Sequence, residues 1–202
     1  MMKLYVANTS NGQRPAVMLE ECGLPYRAKI VAWEDLGKPK FLKLNPLGQI
    51  PVLVDPKGPG GKPLVLSQSA AIMLYAAEKS GKLLPKSGAA RALTLQWFAH
   101  VLTDVAANST VYYYVGSEVP RKTPSTTKFF KDRLVRFLGN CDRQLGKTDY
   151  LTGRLSIADV ALYPTAAGRM SLIKKNGFAN LQRWAAKMAA RPTVQRGMKA
   201  CG

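Results

Sequence analysis

Apolar residues fall along this chain in two rhythms. Short runs at residues 3–7, 26–32, 52–54 and 64–66 are each bounded by turn-forming residues, while longer stretches carry apolar positions at helical spacing. Residues 3–7 predict a strand that stops at the polar cluster Asn8-Thr9-Ser10-Asn11-Gly12. Pro15 suits the first turn of a helix that runs through Val17, Met18, Leu19 and Cys22 to a terminating Gly23. A second strand over 26–32 makes the opening β-α-β, which implies parallel strands. A short helix is expected to end near Leu44-Asn45-Pro46, followed by strands at 52–54 and 64–66 close enough to form a hairpin across the loose turn 55–61. Ser67 then reads as the cap of a helix closing at Gly81.

Beyond residue 88 the pattern is helical throughout, with segments at 89–115, 124–146, 156–175 and 179–190. Ser156-Ile157-Ala158-Asp159 has the form of a capping box, and Pro164 predicts a kink two turns later. The element order gives a thioredoxin-like α/β N-terminal domain over 1–82, a linker over 83–88, and an all-α domain over 89–202.

Composition changes this picture in one respect. The 202 residues are 47% hydrophobic and 21% charged, ordinary for a globular chain, but 30 Lys+Arg against 12 Asp+Glu leave a net charge of +18. Residues 120–202 hold +13 of that surplus. A basic half suggests an anionic partner, but the side chains Arg121, Lys128, Lys131, Arg133, Arg136 and Arg143 are spread at helical spacings without an RNA-binding signature, so a solvated surface is the favoured reading and nucleic-acid binding the alternative. The longest apolar run, residues 70–77, falls far short of a membrane span, and no secretory signal is visible at the N-terminus. Three scattered cysteines, Cys22, Cys141 and Cys201, point to a reducing compartment, hence the cytoplasm.

Candidate chemistry is sparse. His100 is the only histidine and sits among Trp97, Phe98 and Leu102, the setting of a packed helix residue; metal ligation and histidine-based triads have nothing to build on. Three local features remain. Thr9, Ser10 and Asn11 place hydroxyl and amide groups at a helix start, where an anion is favoured, though a plain turn with a cap accounts for them equally well. In Gln49-Ile50-Pro51 a proline opens a strand, either as a cis residue exposing the Ile50 backbone to a ligand or as an ordinary edge proline. Gln68 and Ser69 offer donors at another helix start, or simply cap it.

Taken in order, four blocks resemble the cytosolic glutathione transferases: the strand–polar turn–helix opening, residues 45–53 (NPLGQIPVL), residues 66–75 (LSQSAAIMLY) and residues 155–160 (LSIADV). The likeness extends nearly over the whole chain, including residues 190–197 (ARPTVQRG). It implies the two-domain glutathione transferase fold, with glutathione as co-substrate and no metal. By the same resemblance Ile50 before a cis Pro51, with Gln49 beside it, holds the cysteinyl backbone of glutathione, and Gln68 with Ser69 holds its γ-glutamyl end. A homodimer that pairs glutathione with a hydrophobic electrophile, a disulfide or a peroxide is the implied assembly and activity. A non-catalytic glutathione-binding adapter of the same fold is the alternative.

The group that activates sulfur is left open between two patterns. Ser10 to Arg14 is similar to the Ser-x-x-x-Arg of serine-type members. Thr9, Asn11 and Gly12 are similar to the Thr-x-Asn-Gly of a bacterial and fungal group, nu-class or yeast prion-like, and residues 18–26 lean the same way. Tyr5 lies inside the strand and Cys22 a full helix away, so neither tyrosine- nor cysteine-type chemistry fits. The task is modest: a thiol of pKa about 8.5 is about 3% thiolate at pH 7, and lowering that pKa by about two units needs roughly 2.7 kcal/mol. One or two hydrogen bonds to the charged sulfur supply about this much.

Overall fold

The computed structural model describes all 202 residues. It divides into two compact units, Met1–Leu84 with Ala189–Gly202, and Pro85–Met188. The first unit is built on a four-stranded sheet: β1 (Met2–Val6), β2 (Tyr26–Ile30), β3 (Val52–Asp55) and β4 (Leu64–Ser67), in the order β2-β1-β3-β4. β1 and β2 are parallel, joined by helix α1 (Ser10–Cys22), and β3 runs antiparallel to both β1 and β4. Short helix α2 (Pro39–Leu42) and helix α3 (Ser69–Ser80) complete the domain that positions the site.

Register explains the layering. Leu4 pairs with Leu53 and Leu53 with Leu66, so one face carries an apolar row at the centre of the sheet, with Leu4 and Leu53 wholly buried. The next positions, Tyr5 and Val52, point to the other face and pack with Val31, Leu36, Phe41, Leu44 and Ile50. Tyr5 meets Phe41 edge-on at 6.4 Å, which makes it a core residue.

The second unit is helical. A continuous stretch runs from α4 (Gly88–Ala99) through a π-helical segment, His100–Ala106, into α5 (Ala107–Tyr113) and a second π-helical segment, Tyr114–Glu118. Then come α6 (Pro124–Leu145), α7 (Ile157–Gly168), α8 (Met170–Lys175) and α9 (Ala179–Ala189). Leu134, Phe137, Leu138, Cys141 and Leu145 form the buried stripe of α6 at helical spacing. His100 packs edge-on against Trp97 and Phe137, and its Nδ1 lies 2.8 Å from the Asp104 carboxylate.

Four expectations are corrected. Helix α1 begins at Ser10, so Pro15 lies inside it and withholds the N–H that would have bonded the Asn11 carbonyl. Ser67 is the last residue of β4, and Gln68 takes the cap position of α3. The segment 156–175 is not one helix: it remains helical through Pro164 and breaks at Arg169, whose backbone leaves the helical region. Finally, residues 192–199 form a further helix, α10 (Pro192–Lys199), which groups with the first unit and not with the helices before it. Gly197 is the reason α10 can lie so close to α1: a β-carbon there would stand 2.5 Å from Val17 Cα. Arg191 seals the contact with a two-pronged bond to Glu21 at 2.7 and 2.8 Å.

Candidate functional site

At the C-terminal end of β1 the backbone turns at Thr9, extended at φ −137° and ψ 156°. Its side-chain oxygen accepts from the Gly12 N–H at 3.1 Å, an N-cap that starts α1. Gly12 is obligatory at this corner, because a β-carbon would run into the Ala7 carbonyl. No acidic residue occupies the first turn of α1 or of α3, so neither helix supplies its own anion to its positive end.

The Ile50–Pro51 peptide is cis. The loop before it is braced by Asn45, a nearly fully buried side chain whose Nδ2 donates to the Gln49 carbonyl at 2.6 Å, while its Oδ1 accepts from the Leu47 N–H at 3.2 Å. Across from this loop Gln68 adopts φ 70° and ψ 121°, a sparsely populated conformation for a residue with a β-carbon. Its carbonyl accepts the first bond of α3, from the Ile72 N–H at 3.0 Å, which leaves the N–H groups of the first turn without helical partners.

These pieces meet in one notch. Asn11, Asn45, Gln49, Ile50, Pro51, Gln68 and Ser69 line a largely polar cavity of about 50 Å³. That volume takes a single polar group rather than a whole peptide-sized ligand. Amides, a hydroxyl and helix-start N–H groups surround it, with no carboxylate among them, and such a wall suits an anionic group.

Of the residues singled out from sequence, Asn11, Gln49, Ile50, Pro51, Gln68 and Ser69 come together here; Thr9 and Ser10 stand on the turn beside it and do not line the notch. Asn45 was missed as a lining residue, although its Asn-Pro pair two residues before Gly48 was a turn signal. Cys22 lies at the opposite end of α1, where burial pushes its thiol up. Nowhere do three His, Cys, Asp or Glu side chains gather as a metal site would need.

Both halves of the chain match known family models: the glutathione S-transferase N-terminal domain over residues 10–79 and its C-terminal domain over residues 95–198. The chain belongs to the glutathione S-transferase family. Among its relatives is the disulfide-bond oxidoreductase YfcG of Escherichia coli, 31% identical, with 98% of this chain and 94% of that protein covered. A second, the disulfide-bond oxidoreductase YghU of the same organism, is 28% identical over 97% of this chain and 73% of its own length. A glutathione transferase from Pseudomonas putida, solved with one glutathione disulfide bound per subunit, superposes with a TM-score of 0.90 at 35% identity, covering 100% of this chain and 92% of that one. No helix here is long and apolar enough to cross a membrane.

Proposed function

We propose that the chain binds glutathione with one polar end seated in the notch and the rest of the peptide along its rim, and uses its thiolate chiefly to reduce disulfides. The observation that carries this reading is the convergence of Asn11, Ile50, Gln68 and Ser69 around one anion-suited cavity at two helix starts that lack acids of their own. Gln68 and Ser69 take the γ-glutamyl end, the Ile50 backbone takes the cysteinyl residue, and the sulfur lies toward the first turn of α1. Glutathione disulfide in a structural relative and the disulfide-bond oxidoreductases among the curated relatives support reduction over transfer.

The step balances as ordinary exchange. The glutathione thiolate attacks one sulfur of a substrate disulfide, the S–S bond breaks, and the leaving thiolate takes up a proton. A second glutathione thiolate resolves the mixed disulfide, releasing the second substrate thiol and glutathione disulfide. With a hydrophobic electrophile the same thiolate forms a thioether as the leaving group departs as an anion; with a hydroperoxide it breaks the O–O bond, giving an alcohol and a glutathione sulfenic acid that a second glutathione converts to glutathione disulfide and water. We further propose a homodimer in the cytoplasm; three free, buried cysteines suit a reducing compartment.

The test uses the purified 202-residue chain. Calorimetry reads glutathione binding, and coupled assays read turnover of a small dialkyl disulfide, a hydroperoxide and an aromatic electrophile. Binding with the disulfide turned over fastest supports the proposal. Absence of binding overturns it, and binding without any turnover makes the protein an adapter. Sedimentation at two concentrations reads the dimer.

A further inference from the structure

Arg14 stands one helical turn below Asn11 on α1 and is 2% exposed. Its Nη1 donates to Asn11 Oδ1 at 2.5 Å. A guanidinium carries donors only, so the amide atom that faces it is the oxygen, and the Asn11 NH₂ is turned the other way. Asn11 is also the one residue of the α1 turn that lines the notch.

We propose that Arg14 is a positioning residue: it holds Oδ1 of Asn11 so that the two amide N–H donors are presented to the glutathione sulfur. The inference rests on the glutathione reading above and adds to it the device that aims the donor. Burial lowers the Arg14 pKa to about 10, which still leaves the group charged at neutral pH and its bond to Asn11 charge-assisted. Without that bond the amide can rotate by half a turn and offer the sulfur an oxygen, which repels a thiolate. The Ser10-to-Arg14 spacing then has another meaning, since the guanidinium reaches the residue three places back, Asn11, rather than marking Ser10 as the activating group.

The readout is the thiol pKa of bound glutathione, followed by the ultraviolet absorbance of the thiolate against pH. In R14M it is expected to rise by about one unit, and in R14K, which restores a charged donor without the fork, by less. Affinity for the neutral thiol form of glutathione, set by Ile50, Gln68 and Ser69 and read below the bound thiol pKa, stays near that of the unmodified protein, while at higher pH it falls by no more than the about tenfold that the pKa rise itself entails. In an Asn11→Ala background the same changes at position 14 are expected to move the pKa hardly at all. An unchanged pKa in R14M overturns the proposal, as do effects of the two sites that simply add. Should R14M fail to fold by circular dichroism, R14K alone and combined with N11A completes the same cycle: a smaller rise that vanishes in the N11A background supports the proposal, and no rise or a purely additive one overturns it. If the unmodified protein binds no glutathione, or binds it with an unshifted thiol, the functional reading falls instead.

Discussion

Helix α1 follows Thr9 and helix α7 follows Ser156, each a hydroxyl residue in extended backbone at the cap position. Their next residues differ in one respect that decides their fates. Helix α7 brings its own anion: Asp159, wholly buried, accepts from the Leu151 N–H at 2.9 Å, the Ser156 N–H at 3.0 Å, the Ser156 hydroxyl at 2.9 Å and the Trp184 indole at 3.1 Å. Helix α1 has Gly12 in the equivalent place, three residues after its cap, and its donors look onto a cavity. A helix start whose chain supplies the carboxylate is structural; one left without, where it also faces a polar cavity, is available to a ligand. Both motifs read alike at the level of hydroxyl-plus-polar composition, and the presence of an acid at the third helical position separates them.

The largest test of this contrast is Asp159→Ala. It strands the Leu151 and Ser156 N–H groups and the Trp184 indole in the interior, and is expected to cost about 3–5 kcal/mol. Urea unfolding of the variant measures it, and a loss under about 1 kcal/mol, near the range of an ordinary surface change, would mean that the capping network is not what holds this end of α7.

On the α1–α3 side the expectation reverses: stability is nearly indifferent and binding is not. Gln68→Ala should weaken glutathione binding by about 1–3 kcal/mol, the range for losing hydrogen bonds to a charged group. Alanine keeps the β-carbon, so the backbone strain at φ 70° remains and unfolding is little changed. Calorimetry on the purified variant decides; unaltered affinity would remove Gln68 from the site.

Next in size is the contribution of the α1 turn to the sulfur. Asn11→Ala should raise the thiol pKa of bound glutathione by about one to two units, since a hydrogen bond to a charged group is lost. Ser10→Ala should do less, because Ser10 does not line the notch. A thiolate titration in which Ser10→Ala has the larger effect would assign the chemistry to the hydroxyl.

How much of the fold and the site is legible in the sequence depends on whether the cause is local. The parallel β-α-β opening, the hairpin and the Ser156–Asp159 box follow from turn residues and spacing within a dozen positions, and the fold shows all of them. Helix α10 was not legible: Gly197 lowers its intrinsic propensity, and what stabilises it is close approach to Val17 from the far end of the chain. The start of α1 was misplaced because Pro15 signals a first turn by propensity, whereas the Thr9 cap and the Gly12–Ala7 approach set the boundary. Asn45 and the φ of Gln68 depend on a loop folding back on itself and on a strand meeting a helix, which single residues do not announce.

The smallest and most discriminating prediction contrasts two carboxylates that both tie elements together. Glu21, bonded by Arg191 and Thr193, is held below its ordinary value of 4.5: burial alone would raise it, but the hydrogen bonds and charges of Arg191 and its neighbours outweigh that. Asp159 is instead pushed up from 3.8 to about 6, because burial outweighs the Leu151, Ser156 and Trp184 donors around it. The signs therefore oppose. A lowered carboxyl binds protons more readily unfolded, so the Glu21 contribution is full above about pH 4.5 and is lost as the solution becomes more acid. A raised carboxyl binds protons more readily folded, so the Asp159 contribution is greatest below about pH 4 and declines as pH rises toward about 6. Glu21→Gln should accordingly cost about 1 kcal/mol at neutral pH and flatten the acid limb of a stability–pH curve, leaving the slope between about pH 4 and 6 as it was. Urea midpoints across that range test it, and an acid limb unchanged in Glu21→Gln would show that the α1–α10 clasp does not depend on charge.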